Sequence, residues 1–153
     1  MTKLTPSAVA HTPAAASKDA LAHFSHRLTF ETDCWDTHDS LSNGAEDFVL
    51  LDVRGPALYA QGHVPGALLL PHGKMTERRM AEWPQDTLFV VYCAGPHCNG
   101  ANKAAVRLAQ MGRPVKEMIG GVTDIDGNYR LENVPLGRQT VTFTYIGYRE
   151  AVL

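Results

Sequence analysis

A short loop that contains two cysteines carries the residues best suited to chemistry in this chain. An apolar run, Leu88–Tyr92, ends immediately before Cys93, and His97 and Cys98 follow in the loop. An amphipathic segment then begins at Gly100. A helix that starts there offers partial positive charge and unpaired N–H groups, which favour an ionised thiol and can hold an anion beside it. This order of elements predicts a reactive thiolate at Cys93.

Two other interpretations of these residues are open. A cysteine that follows a strand is often a buried small hydrophobe without any reactivity. Zinc ligation through Cys93, His97 and Cys98 is the second alternative. It is disfavoured because Cys98 directly follows His97, no second cluster has ligand spacing, and Cys34 is distant in sequence. We therefore expect neither a metal nor a cofactor.

Short strands and helices are predicted to alternate between residues 48 and 119. The apolar runs at 48–53 and 88–92 suit parallel strands buried on both faces. Further predicted strands cover 67–70 and 115–119, and the predicted helices cover 56–61, 74–83 and 100–111. This alternation predicts an α/β fold with an open, mostly parallel sheet flanked by helices. Ligands of such sheets bind beyond the carboxyl ends of the strands, which is where Cys93 is expected.

The N-terminal part of the chain is less clearly patterned. Residues 1–16 are rich in Ala, Thr, Ser and Pro and are interpreted as a disordered leader. A helix is predicted over 17–26, with Ser17 as its N-cap and with apolar residues on one face. Alternation over residues 28–32 is equally compatible with an early strand. A second short helix is predicted from Trp35 to Gly44.

Composition limits the classes of function. The chain has 153 residues, of which 44% are hydrophobic and 20% charged, as in an ordinary globular protein. A net charge of −2 predicts no general affinity for nucleic acid or for an anionic membrane. The N-terminus lacks the apolar core of a secretory signal, and three cysteines are an odd number for a disulfide framework. We therefore expect a protein of the reducing cytoplasm.

Ordered motifs over roughly residues 46–121 resemble the rhodanese (thiosulfate sulfurtransferase) domain. The segments that carry the resemblance are Leu51-Asp52-Val53-Arg54, Gly62-His63-Val64-Pro65-Gly66-Ala67, Tyr92-Cys93 with its loop and Gly100, and Gly120-Gly121. The resemblance implies a domain over residues 17–121. It implies that Cys93 takes a sulfane sulfur from a donor such as thiosulfate, holds it as a persulfide and passes it to a thiol or cyanide. A protein that accepts the sulfur is a further candidate partner.

Supporting roles follow for residues near Cys93. Main-chain amides of the loop are expected to bind the substrate, excepting Pro96, which has no N–H. The predicted substrate-binding residues are Ala94, Gly95, His97, Cys98, Asn99 and Gly100. Cys98 either resolves a persulfide on Cys93 into a disulfide or only fills the first helical turn. The second reading is favoured because a short loop leaves little freedom for disulfide geometry. Asp52 and Arg54 are expected to form an ion pair that braces loops near the site.

The chain departs from the family after Gly121. Residues 122–153 are predicted to form a β-rich extension, because they contain a turn signal at Asp126-Gly127 and alternation over 140–146. This extension resembles a fragment of a carboxypeptidase-regulatory-like β-sandwich, which suggests a fusion near Gly121. A calcium loop at residues 124–128 is disfavoured because its required glycine and distal glutamate spacings are absent.

Three functions are compatible with a cysteine loop on this fold. The first is a sulfurtransferase that uses Cys93, and the second is a binding or sulfur- and redox-sensing module without turnover. The third is a phosphatase or arsenate reductase, which relies on an arginine six positions beyond the cysteine to clamp the oxyanion. Asn99 occupies that position, so the third function is the weakest.

Overall fold

A single parallel sheet organises the chain. The computed structural model describes residues 7–122. Five strands lie in the order β1-β5-β4-β2-β3, and all neighbouring strands are parallel. Their bounds are β1 Glu31–Thr32, β2 Phe48–Asp52, β3 Leu68–Leu69, β4 Leu88–Tyr92 and β5 Val115–Met118. The predicted α/β fold with an open, mostly parallel sheet is confirmed.

Helices connect the strands, as parallel neighbours require. The connecting helices are α2 Cys34–Ser42, α3 Pro56–Gln61, α4 Glu77–Met80 and α5 Gly100–Gln110, with a 3-10 turn at His72–Lys74. Helix α1, Ser17–Phe30, precedes the first strand. Helix α2 begins where the Asp33 side chain accepts a hydrogen bond from the Asp36 amide at 2.7 Å. Helix α5 ends before Gly112, whose φ of 69° breaks the helical path. None of the helices within residues 7–122 is long and apolar enough to cross a bilayer.

The central strands β2 and β4 are apolar up to their last residues, Asp52 and Tyr92, because both faces of the sheet are covered. They pair in register from Phe48 opposite Leu88 to Asp52 opposite Tyr92. Alternate side chains enter two different buried clusters, as the two-residue period of a strand requires. One cluster contains Leu51, Phe89, Val91 and Cys93 with the inner face of α5, namely Ala101, Ala104 and Leu108. The opposite cluster contains Cys34, Leu50, Val64, Ala67, Val90, Tyr92 and Met118.

The N-terminal helix differs from its prediction. Helix α1 continues to Phe30, past the predicted end at residue 26, because neither glycine nor proline interrupts it. The capping position belongs to Ala16, so the prediction that Ser17 is the N-cap was wrong. The alternative early strand is reduced to Glu31–Thr32. No residue of α1 is buried, and its apolar side chains Leu21, Phe24 and Leu28 are exposed. Residues 7–16 contain no helix or strand.

The predicted helix over residues 74–83 was also wrong in extent. The Thr76 side chain accepts a hydrogen bond from the Arg79 amide at 3.2 Å, so a separate helix, α4, begins at Glu77. Pro84 disfavours helical geometry at Trp83, which limits α4 at its other end. The segments predicted at 35–44, 67–70 and 115–119 are real but differ at their ends, as the bounds of α2, β3 and β5 show. The proposed β-rich extension and calcium loop lie outside the described residues, apart from Val122.

Two glutamates face each other at the edge of the sheet. Glu31 on β1 is in register with Glu117 on β5, and Asn102 donates a hydrogen bond to Glu117. Burial is the main cause that raises the pKa of Glu117 above its usual 4.5, and Glu31 raises it further, while Asn102 acts in the opposite direction. The ionised form of Glu117 is therefore disfavoured in the folded chain.

We expect Glu117→Gln to stabilise the protein at neutral pH. A raised pKa in the folded state means that ionisation costs stability as the pH rises above 4.5, and the amide has no such cost. Because the site is partly exposed, the gain is below about 1 kcal/mol. Urea unfolding of both proteins should show the difference near neutrality and its loss below the usual carboxyl pKa. An equal difference at both pH values contradicts the argument.

Candidate active site

Cys93 lies at the carboxyl end of the central strand β4. Its side chain is buried, with 7% of the residue exposed. The loop 94–99 leads directly from it to α5, which begins at Gly100. The predicted order of strand, cysteine, loop and helix is therefore present. Among the loop residues, Pro96, His97 and Asn99 are exposed, Ala94 and Cys98 are half-buried, and Gly95 is buried.

Gly100 allows the first residue of α5 to lie against the sulfur atoms. A Cβ atom placed on Gly100 would be 2.9 Å from Cys93 Sγ and 3.4 Å from Cys98 Sγ. The first distance is shorter than a carbon–sulfur contact allows, so only glycine fits without a shift. Glycine is therefore needed at position 100 because the helix start lies so close to the two sulfur atoms.

Cys93 and Cys98 form a disulfide, with their Cα atoms 6.2 Å apart. The expectation that Cys98 only fills the first helical turn was wrong. The Cys98 amide donates a hydrogen bond to the Gly95 carbonyl at 2.9 Å, which folds the loop into a tight turn. The resulting Cα separation lies within the usual range for a disulfide. The thiolate predicted at Cys93 accordingly belongs to the reduced form of the chain, and its reactivity stays a prediction.

The loop amides divide into two groups. The Cys98 amide donates to the Gly95 carbonyl in this disulfide-bonded form, so it is not open to an anion here. The amides of Gly95, His97 and Asn99 donate to no acceptor within residues 7–122. These three amides retain the capacity to bind an anion. Substrate binding by the loop remains a prediction.

The last described segment packs on the main chain of this loop. Gly121 has a φ of 73°, and a Cβ there would lie 2.6 Å from the Cys93 carbonyl oxygen and 2.7 Å from the Gly95 nitrogen. The Val122 amide donates a hydrogen bond to the same Cys93 oxygen at 3.3 Å. Both the backbone conformation and the close approach require glycine at position 121.

The third cysteine, Cys34, donates from its thiol to the Ile119 carbonyl at 3.2 Å.

The ion pair expected between Asp52 and Arg54 is present and buried. The Arg54 guanidinium donates to both carboxylate oxygens of Asp52, at 2.7 to 3.1 Å. It also donates to the Gly62 carbonyl at 2.6 Å, which fixes the turn after α3. The pair therefore joins the end of β2 to this turn. Both side chains hold the framework at the ends of the central strands.

Tyr92 completes this network and was not singled out from the sequence. Its hydroxyl donates to Asp52 at 2.9 Å and accepts from the Val64 amide at 3.1 Å. Burial is the largest cause that raises the pKa of Tyr92 above its ordinary value. Tyr92 directly precedes Cys93, so its hydrogen bonds fix the strand end from which the cysteine emerges. The sequence feature that could have indicated this hydrogen bond is that one apolar run ends on a tyrosine, Tyr92, and the other ends on an acid, Asp52.

His63 makes local contacts with Tyr59 on α3. Its Nδ1 lies 2.9 Å from the Tyr59 carbonyl oxygen, and its ring stacks on the Tyr59 ring at 3.6 Å. His97 lies in the cysteine loop and is exposed. The structure therefore brings together Cys93, Cys98 and Gly100, while the Asp52 network lies at the ends of β2 and β4.

A parallel α/β sheet that presents a loop cysteine to the start of a helix defines a class of cysteine-loop domains. The rhodanese-like domain family matches residues 37–128 of this chain. The chain therefore belongs to the rhodanese-like domain family. The match begins nearer the N-terminus than the motifs alone indicated, and it runs beyond Gly121.

Related proteins carry both enzyme and regulator names. The chain is 33% identical over 93 residues to the thiosulfate sulfurtransferase GlpE of Pseudomonas entomophila, covering 60% of this chain and 76% of that protein. It is 37% identical over 93 residues to the HTH-type transcriptional regulator Rv0324 of Mycobacterium tuberculosis, covering 60% of this chain and only 38% of the regulator.

A solved structure supports the same fold. The crystal structure of the BH2092 protein from Bacillus halodurans superimposes with a TM-score of 0.70 at 35% sequence identity. The superposition covers 73% of this chain and 82% of that one.

Proposed function

We propose that this chain is a sulfurtransferase that carries a sulfane sulfur as a persulfide on Cys93. The observation that carries the proposal is the position of the Cys93 sulfur, at the carboxyl end of β4 and against the glycine that begins α5. Family membership and the sulfurtransferase name of a relative support it. The proposed partners are a small sulfur donor such as thiosulfate and an acceptor that is a thiol, cyanide or a sulfur-accepting protein.

The proposed reaction begins with the reduced chain, because a disulfide sulfur is not a nucleophile. The Cys93 thiolate attacks the outer sulfur of thiosulfate, the sulfur–sulfur bond of the donor breaks, and sulfite leaves with the bonding electrons. The persulfide then carries one negative charge. The available amides of Gly95, His97 and Asn99, together with the positive end of the α5 dipole, are suited to stabilise that charge. No separate general base is required.

A second function is favoured by two observations. Cys93 and Cys98 are joined in a disulfide, and a relative of this chain is named a transcriptional regulator. A sulfur- or redox-sensing module would use the same two cysteines without catalytic turnover. The two functions differ in whether repeated sulfur transfer to a small acceptor takes place.

The direct test is intact-mass spectrometry of the reduced Cys98→Ser protein after treatment with thiosulfate, because this variant has no neighbouring thiol that could remove the sulfur again. A sulfurtransferase is expected to gain one sulfur atom, and peptide mapping should locate it on Cys93. Subsequent addition of cyanide should remove this sulfur as thiocyanate and restore the original mass over many cycles. A chain that gains no sulfur, and releases no sulfite, contradicts the proposal.

A further inference from the structure

We infer that Cys98 is an internal sulfur acceptor, so that the chain releases hydrogen sulfide from the Cys93 persulfide. This inference rests on the proposed function, because it needs the persulfide to form first. It adds a second reaction at the same site, in which the product is free sulfide and the protein ends as the Cys93–Cys98 disulfide. The disulfide observed in the structure is thus the product state of this reaction.

The geometry of the loop favours attack by Cys98. The two cysteines are five positions apart, and the hydrogen bond from the Cys98 amide to the Gly95 carbonyl closes the loop between them. Both sulfur atoms lie beside the same point, since a Cβ on Gly100 would meet both within 3.4 Å. A thiol held this close reacts as if it were present at very high concentration. An external acceptor has no such advantage.

Atoms and electrons balance in the proposed step. The Cys98 thiol loses its proton, and its sulfur attacks the inner sulfur of the persulfide, which is Cys93 Sγ. The bond between Cys93 Sγ and the outer sulfur breaks, and the outer sulfur leaves with the electron pair and the proton as HS⁻. The two cysteine sulfurs are oxidised to a disulfide while the sulfane sulfur is reduced to sulfide. A small dithiol returns the chain to its dithiol form and is itself oxidised.

Cys34 is not suited to this step. It is buried in the apolar cluster on the other face of the sheet from Cys93. Its thiol donates to the Ile119 carbonyl at 3.2 Å and to the Gly121 carbonyl at 3.6 Å. The residue is therefore a matched cysteine control. It has the same thiol chemistry but lies outside the loop.

The test is a single-turnover experiment with the full chain. The protein is reduced, freed of reductant and mixed with thiosulfate in the absence of oxygen, cyanide and any external thiol. The wild type and Cys34→Ser are each expected to release one sulfite and one sulfide per chain and to form the Cys93–Cys98 disulfide. Cys98→Ser is expected to release one sulfite, no sulfide, and to keep the persulfide. The rate of sulfide release by the wild type should not change with protein dilution, because the step is intramolecular.

The outcomes separate the two proposals. Sulfite release with a persulfide that lasts as long in the wild type as in Cys98→Ser overturns the internal acceptor and leaves the sulfurtransferase intact. Sulfide release that slows on dilution also overturns it, since the acceptor is then another molecule. No sulfite release from any variant overturns the proposed function and the inference together. Cys98→Ala serves as a second variant if the serine does not fold.

Discussion

Cys93→Ser is expected to abolish persulfide formation and thiocyanate production. A serine hydroxyl is a poor nucleophile toward sulfur and cannot carry a sulfane sulfur to an acceptor. We expect turnover from thiosulfate to cyanide to fall to the rate without protein, because the covalent carrier is lost. The measurement is thiocyanate formation by the reduced protein, together with intact mass after thiosulfate alone.

Cys98→Ser is the matched control for this loss. It removes the same disulfide as Cys93→Ser and changes one thiol of the same loop. A comparison of the two variants therefore separates loss of the nucleophile from loss of the cross-link. Thermal unfolding of both should be followed in parallel, because Cys93 belongs to the buried cluster. Undiminished thiocyanate production by Cys93→Ser would exclude this residue as the sulfur carrier.

Arg54→Leu is expected to destabilise the fold by about 3–5 kcal/mol. The Asp52 side chain is fully buried, and the Arg54 side chain is 8% exposed. Without the guanidinium, Asp52 keeps the Tyr92 hydroxyl and the Arg54 amide as donors, but its charge is no longer compensated. The brace from Arg54 to the Gly62 carbonyl is also lost. Urea unfolding of the reduced proteins measures the difference.

A double-mutant cycle tests the reason for this loss. Asp52→Asn combined with Arg54→Leu removes both charges, so the double variant should be more stable than Arg54→Leu alone. An Arg54→Leu protein within about 0.5 kcal/mol of the wild type contradicts a buried, uncompensated charge. If the double variant loses as much unfolding free energy as Asp52→Asn and Arg54→Leu lose together, the two side chains are not coupled.

The strands were predictable because their signal is local. The runs at β2 and β4 are apolar at nearly every position, and a strand with both faces buried needs no alternation. Helix α5 was equally clear, since its small and apolar residues recur at helical spacing and Gly112 ends it. The position of Cys93 at the end of β4 followed from these two elements. Much of the frame of the candidate site was thus contained in short stretches of sequence.

Features that depend on contacts between distant segments were not predictable. Tyr92 meets Asp52 only because β2 and β4 pair in one particular register. The disulfide depends on a turn at Gly95, and the composition of the loop, with one glycine and one proline, does not show that this turn forms. The helix predicted over 74–83 was too long because the Thr76 side chain caps a shorter helix that begins at the next residue. The apolar spacing in α1 indicated a buried face, yet periodicity alone does not say what lies opposite a helix.

The contact of Gly121 with the cysteine loop has a consequence for protein engineering. Because Val122 is hydrogen-bonded to the Cys93 carbonyl, the polypeptide leaves residue 122 from the floor of the reactive loop. A truncation that removes residues 121 and 122 therefore removes the contacts that these residues make with the main chain of the cysteine loop. A fusion joined after residue 122 keeps those contacts. A reporter joined directly after residue 122 is tethered next to the sulfur centre, so it is also a probe of the loop.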